Sequence, residues 1–132
     1  MSQRNVEAVR SVYERWGEGD FTASLEVMDP DVVFVLPPEF PDPGTYRGLR
    51  EIADYMGHFL EPWTHIAIEA EELIDGGDCV VAAIRQHGTG SETGIATEMR
   101  YFQVWVFDGS KVVRLENSRD RSKALRAAGL AE

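Results

Sequence analysis

The sequence predicts an α+β domain in which helices precede a long antiparallel meander. Up to about Leu60 the apolar residues recur at three- and four-residue spacings, and from Ile66 onward they alternate. The alternating runs are divided by Asp75-Gly76-Gly77-Asp78 and Asp108-Gly109, residue pairs that favour tight reversals of the chain. Helices first and hairpins afterwards indicate α+β, not a parallel doubly wound sheet.

Val6, Val9, Val12, Tyr13 and Trp16 form one stripe of a first helix, capped by Ser2 and ended at Gly17 or Gly19. Phe21 to Met28 repeats the spacing as a short second helix. Val32 to Leu36 is apolar and β-branched between Asp29-Pro30 and Pro37-Pro38, a short buried strand. Pro38 to Gly48 reads as a loop. Leu49, Ile52, Tyr55, Met56, Phe59 and Leu60 mark a third helix that stops near Pro62. Ile66, Ile68, Ala70 and Ile74 then alternate with Glu69, Glu71 and Leu73 in a strand with one wet face. Cys79 to His87 follows, and Gly88 to Gly94 reads as a flexible connection. Ile95 to Phe107, Val112 to Ser118 and a helix from about Asp120 to Gly129 complete the chain.

At 132 residues the sequence has the size of one domain, spanning 1–132 with no repeat or linker. Its formal charge of −10, with thirteen basic residues scattered among twenty-three carboxylates, argues against nucleic acid and anionic membrane surfaces. No run approaches the ~20 apolar residues of a membrane span. No apolar signal core follows Met1, so the expected location is cytoplasmic. Cys79, the single cysteine, reads as a small core residue. His58 and His65 have no companions at metal-ligand spacing, and there is no glycine fingerprint for a nucleotide, so neither metal nor cofactor is expected.

Parity sorts the strand Met99 to Phe107 into two faces. One carries Met99, Tyr101, Gln103, Trp105 and Phe107; the other carries Arg100, Phe102, Val104 and Val106. Both are largely apolar, which predicts cover on each side: helices on one and a second copy of the chain on the other, a homodimer through the convex face. Gln103 interrupts an aromatic row. An unpaired buried amide costs roughly 1–3 kcal/mol, so Gln103 needs a partner, either a neighbouring side chain or a ligand.

Gly48-Leu49-Arg50-Glu51-Ile52, the run Trp105-Val106-Phe107-Asp108-Gly109-Ser110-Lys111-Val112-Val113-Arg114-Leu115 and the segment Asp120 to Leu125 resemble the SnoaL-like branch of the nuclear transport factor 2-like superfamily, related to ketosteroid isomerases and polyketide cyclases. The resemblance implies a cone-shaped, curved sheet whose concave face is closed by the N-terminal helices into a cavity. It also implies a small hydrophobic ligand and a dimer. Known members include isomerases, cyclases, dehydratases and non-catalytic binding modules, so fold does not fix chemistry. The isomerases' catalytic aspartate falls at Leu36, their oxyanion tyrosine near Val12 with Tyr13 one step away, and their protonated aspartate at Gln103. The cyclases' catalytic aspartate falls at Asn117. Leu36 cannot take a proton, and an amide at Asn117 can bind an oxygen but is no base.

The candidates that remain are Gln103, Asn117 and Tyr101 as groups that polarise a ligand oxygen, with His87 or a lid carboxylate to move a proton. Asp31, Glu39, Asp42 and Glu98 are the carboxylates available. His87 has a plain alternative as an exposed strand end. Val12, Tyr13, Trp16, Phe34, Leu36, Phe59, Trp105 and Leu115 are read as pocket walls, which core packing explains equally well. Arg119, placed by parity with Val113, Leu115 and Asn117, would meet an anionic or carbonyl group. Arg85 is read as a salt-bridge residue, and Arg114 with Glu116 as an outward pair. Two functions are open: a cofactor-independent isomerase, cyclase or dehydratase acting on a hydrophobic carbonyl or hydroxyl compound, or a ligand-binding module without turnover.

Overall fold

The computed structural model describes residues 2–130, the side chain of Ser2 excepted, so the expected Ser2 cap lies outside the described residues. The elements are α1 (Ser2–Gly17), α2 (Ala23–Val27), β1 (Met28–Leu36), β2 (Gly44–Arg47), α3 (Gly48–Leu60), β3 (Trp63–Asp75), β4 (Cys79–Gly90), β5 (Ala96–Asp108), β6 (Lys111–Ser118) and α4 (Arg121–Ala127). One six-stranded sheet runs β2-β1-β6-β5-β4-β3. Neighbours are antiparallel except β1 and β6, which are parallel. The α+β class and the helices-then-meander order are as the periodicity predicts.

Two elements differ. The stretch expected to be wholly loop contains β2, which pairs Gly44 to Arg47 against Leu36 to Val33. It is short, opens on glycine and is mostly exposed, so no alternation marks it. Met28 is the first residue of β1, not the last of a helix. Pro30 sits in β1 where its pairing with β6 breaks between Met28 and Val33, so the missing N–H costs no regular ladder bond.

The main core fills the concave side, where Val9, Val12, Tyr13 and Trp16 of α1 meet Val80, Ala82 and Ile84 of β4 and Trp105 of β5. Contrary to expectation, helices cover both faces. Asp120 Oδ1 accepts the Lys123 N–H at 3.3 Å and starts α4. The helix lays Ala124, Leu125 and Ala128 over Val81 and Val104 on the convex side, with Phe102 and Val106 at the edge. Cys79 is half-buried beside this second cluster, and burial pushes its thiol pKa up.

The rest of the outer face is charged. Arg85 bridges Glu69 at 3.1 Å and Glu98 at 3.0 Å, and Arg100 bridges Glu71 at 3.0 Å and Glu98 at 3.1 Å. The apolar premise of the convex-face dimer therefore holds only where α4 already lies. Arg114 and Glu116 form the outward pair expected, at 3.1 Å. No helix among the described residues is long and apolar enough to cross a membrane.

Candidate functional site

Strand pairing decides which residues look inward. Val80 lies opposite Trp105 and Ala82 opposite Gln103, so even-numbered residues of β4 share the concave face with the odd-numbered residues of β5. Two irregularities then reset parity. One between Ala70 and Glu72 of β3 turns Leu73 toward the main core and Ile74 toward the outer cluster, against the simple alternation. The other, between Val106 and Phe107 opposite β6, buries Val112 in place of Val113.

A cavity of about 250 Å³ opens between the concave face, α3 and the loop after β1. A void of ~150 Å³ admits benzene, so this one has room for a fused bicyclic compound. Trp16, Phe34, Phe59, Tyr101, Gln103, Leu115 and Asn117 line it, seven of the thirteen candidates. Val12, Tyr13, Leu36 and Trp105 are buried behind the wall and do not line it.

Two candidates lie elsewhere. His87 is an odd-numbered residue of β4 and points to the convex side, its Nε2 3.1 Å from Glu69 Oε1, so it cannot serve the cavity. Arg119 is exposed one residue beyond the end of β6 and does not line the cavity. Of the four carboxylates, only Asp42 lines the cavity. Glu98 is engaged by arginines outside, and Asp31 and Glu39 are exposed and do not line it.

Gln103 has its partner, and the partner is Tyr13. The Tyr13 hydroxyl donates to Gln103 Oε1 and accepts from Trp105 Nε1 at 2.9 Å, while Gln103 Nε2 donates to Asn117 Oδ1 at 3.2 Å. The direction of this chain is fixed at one end. An indole N–H can only donate, so the phenol must pass its own proton on to Gln103, whose amide then donates to Asn117. Asn117 is left presenting Nδ2, a donor. Trp16 Nε1 is the sole buried side-chain nitrogen or oxygen among the described residues that is sealed off without a partner. The Asn117 Nδ2, which makes no hydrogen bond among the described residues, is therefore open to the cavity that Asn117 lines.

The inner wall thus offers amide N–H groups and aromatic faces, and no base. The phenols reinforce this: burial raises the pKa of Tyr13, Tyr101 and Tyr55, so each stays protonated. Their folded pKa values lie above the ordinary 10.0. Their contribution to stability is accordingly complete below that pH and is lost as pH climbs past it. An absorbance titration should find these three phenols resisting ionisation until the chain unfolds. Three freely titrating tyrosines would contradict the enclosed site.

The mouth is different. Asp42 and His58 both border it, and both also line a groove outside. Asp42 has φ 55°, in the left-handed region, and stands before Pro43, which disfavours a helical neighbour. The Tyr46 hydroxyl holds its carbonyl at 2.5 Å. Such backbone strain clusters at functional positions. Tyr55, stacked with Phe59 and edge-on to Phe34, and Phe40, edge-on to Tyr101, complete an aromatic collar. Gln86, Tyr55, Phe40 and His58 are lining residues that sequence reasoning did not select. The first would have followed from knowing which face of β4 is concave.

A family model for the SnoaL-like domain matches residues 9–115. Among curated proteins, none matches the sequence. Solved structures are similar over nearly the whole chain. A nuclear transport factor 2-like protein from Burkholderia thailandensis is 28% identical, with TM-score 0.76 over 95% of this chain and 96% of that one. TerC, co-crystallised with polyporic acid, is 23% identical, with TM-score 0.76 over 96% and 98%. A candidate SnoaL-like polyketide cyclase from Jannaschia sp. CCS1 is 16% identical, with TM-score 0.77 over 99% and 95%.

Proposed function

Because the chain belongs to the family of SnoaL-like domains, we propose that its cavity takes a small, largely apolar carbonyl or hydroxyl compound and moves a proton on it without a cofactor, as an isomerase, cyclase or dehydratase does. The observation that carries this reading is the directed chain from Trp105 through Tyr13 and Gln103 to Asn117, which ends in a donor at the cavity wall. A ligand oxygen seated there accepts from the Asn117 amide, and a negative charge developing on that oxygen is stabilised where no reorganisation is needed. The base assigned is Asp42, the one carboxylate on the lining. It takes a proton from a carbon toward the mouth that is conjugated with the carbonyl, as the oxygen gains charge at Asn117. Returning the proton to a different carbon of the conjugated system completes an isomerisation. TerC, of the same fold, was co-crystallised with a small organic molecule, which is consistent with a ligand here.

The test is solvent exchange of a bicyclic conjugated ketone. In D2O the γ-carbon protons of a conjugated octalone should wash out faster with the protein than with buffer. Asp42→Asn should slow that exchange by about a hundredfold or more while binding persists. A second reading, binding without turnover, is favoured by one observation: every group on the buried hydrogen-bond chain is an amide, an indole or a phenol. A ketone that binds through Asn117 yet exchanges at the buffer rate would decide for it. A pairing of two copies through the convex face, also proposed, would run across the Arg85 and Arg100 ion pairs, not across an apolar surface.

A further inference from the structure

A second hydrogen-bond chain lies on the same concave face, nearer the mouth. Tyr101 is buried, and its hydroxyl donates to Gln86 Oε1 at 2.8 Å. The atom at the phenol sets that direction: Gln86 Oε1 can only accept, so the hydroxyl's proton goes there. The consequence for Gln86 matches that for Asn117. With Oε1 taken, the amide presents Nε2, which makes no hydrogen bond among the described residues and is not sealed off. Gln86 lines the cavity.

Register fixes how the two free donors are arranged. Asn117 is opposite Gln103, and Gln103 is opposite Ala82, four residues before Gln86 on β4. At ~3.3 Å per residue along a strand and ~4.8 Å between strands, the two α-carbons are roughly 16 Å apart in a flat sheet. Curvature and the inward reach of both side chains shorten the gap between the amides. Between them stand Gln103 and Tyr101, with Met99 directly opposite Gln86; they supply apolar surface plus an amide and a phenol that are already committed.

We propose that Gln86 is a second anchor, and that the ligand class is an elongated, flat, neutral compound carrying an oxygen acceptor at each end. The inner oxygen meets Asn117, the outer one meets Gln86, and the apolar body lies along the aromatic collar between them. Neutrality follows from the wall, which offers no lysine or arginine to a buried carboxylate or phenolate. This proposal rests on the reading of Asn117 as the inner oxygen site, and it adds the length and the second acceptor.

A matched pair of neutral bicyclic probes separates the two ideas: 2-acetylnaphthalene, with one carbonyl, and 2,6-diacetylnaphthalene, with one at each end. By calorimetry on the full chain, the diacetyl compound should bind about fivefold tighter, the worth of one net neutral hydrogen bond. Gln86→Leu should erase that advantage, so that the two probes bind alike, and Asn117→Leu should weaken both. Gln86→Met, closer in shape, repeats the comparison should the leucine variant fold poorly. If the monoacetyl probe depends on Asn117 but the second carbonyl adds nothing, or its gain survives both Gln86 variants, the second anchor is wrong and the inner site stands. If the monoacetyl probe does not bind, or ignores Asn117→Leu, the inner site itself is wrong and both readings fall.

Discussion

Gln103→Leu is expected to lower stability by roughly 3 kcal/mol, since it strands two buried groups at about 1–3 kcal/mol each. The Tyr13 hydroxyl would still accept from Trp105 but lose the acceptor for its own proton, and Asn117 Oδ1 would lose its donor. For a domain of this size that corresponds to a melting temperature lower by on the order of 10 °C. The distinguishing result is the double variant. Adding Tyr13→Phe removes the stranded phenol, so the combined loss should fall short of the sum of the single losses by 1 kcal/mol or more, as expected for members of one network. Binding should respond as well, because Asn117 would be free to turn and no longer present Nδ2 in a fixed direction. A Gln103→Leu protein that melts with its parent and binds ketones unchanged would mean the chain orients nothing.

That network also marks how far the sequence could be read. The need for a partner at Gln103 follows from one amide among aromatics on one face of a strand, and it was met. The partner's identity was not legible. Tyr13 and Gln103 are 90 positions apart, and a helix phase error of one residue separates Tyr13 from Val12, which packs behind the wall. His87 and Gln86 show the same limit in the sheet. Alternation says that they face opposite ways, and only the pairing of β4 with β5 says which way is inward. Parity does not place Arg119 and Val113, because the sequence does not display the irregularity between Val106 and Phe107 and Arg119 lies past the end of β6. The expectation of a homodimer rests on helices covering one face only, whereas α4, only seven residues long, covers part of the other.

The glycines of the β4–β5 connection carry the second large effect, because Gly88 and Gly90 belong to β4 and not to a flexible linker. Gly88 is buried within β4 and paired with Ile66, not part of a mobile turn. A β-carbon there would sit 2.5 Å from the His65 carbonyl oxygen, 2.9 Å from Ile66 Cδ1 and 3.1 Å from Trp63 Cε3. The obstacle is backbone, so β3 itself must yield. Gly88→Ala gains about 0.4–1 kcal/mol from a stiffer unfolded chain, but overpacking of this kind costs typically 1–3 kcal/mol or more. A net loss of roughly 2 kcal/mol is expected. Gly90→Ala is the internal control: its nearest obstacle is the Thr93 Oγ1 at 2.7 Å, on an exposed side chain that can rotate away and give up its hydrogen bond from the Ile95 N–H to water, so its cost should stay below about 1 kcal/mol. Gly88 also bears on the cavity, because Trp63 lines the mouth and packs over the space the missing side chain leaves. Gly88→Ala should therefore weaken binding of 2-acetylnaphthalene as Trp63 is pushed aside, while Gly90→Ala should not. Equal stability and equal binding in the two variants would show that β3 gives way freely and that the close approach at Gly88 does not set the shape of the mouth.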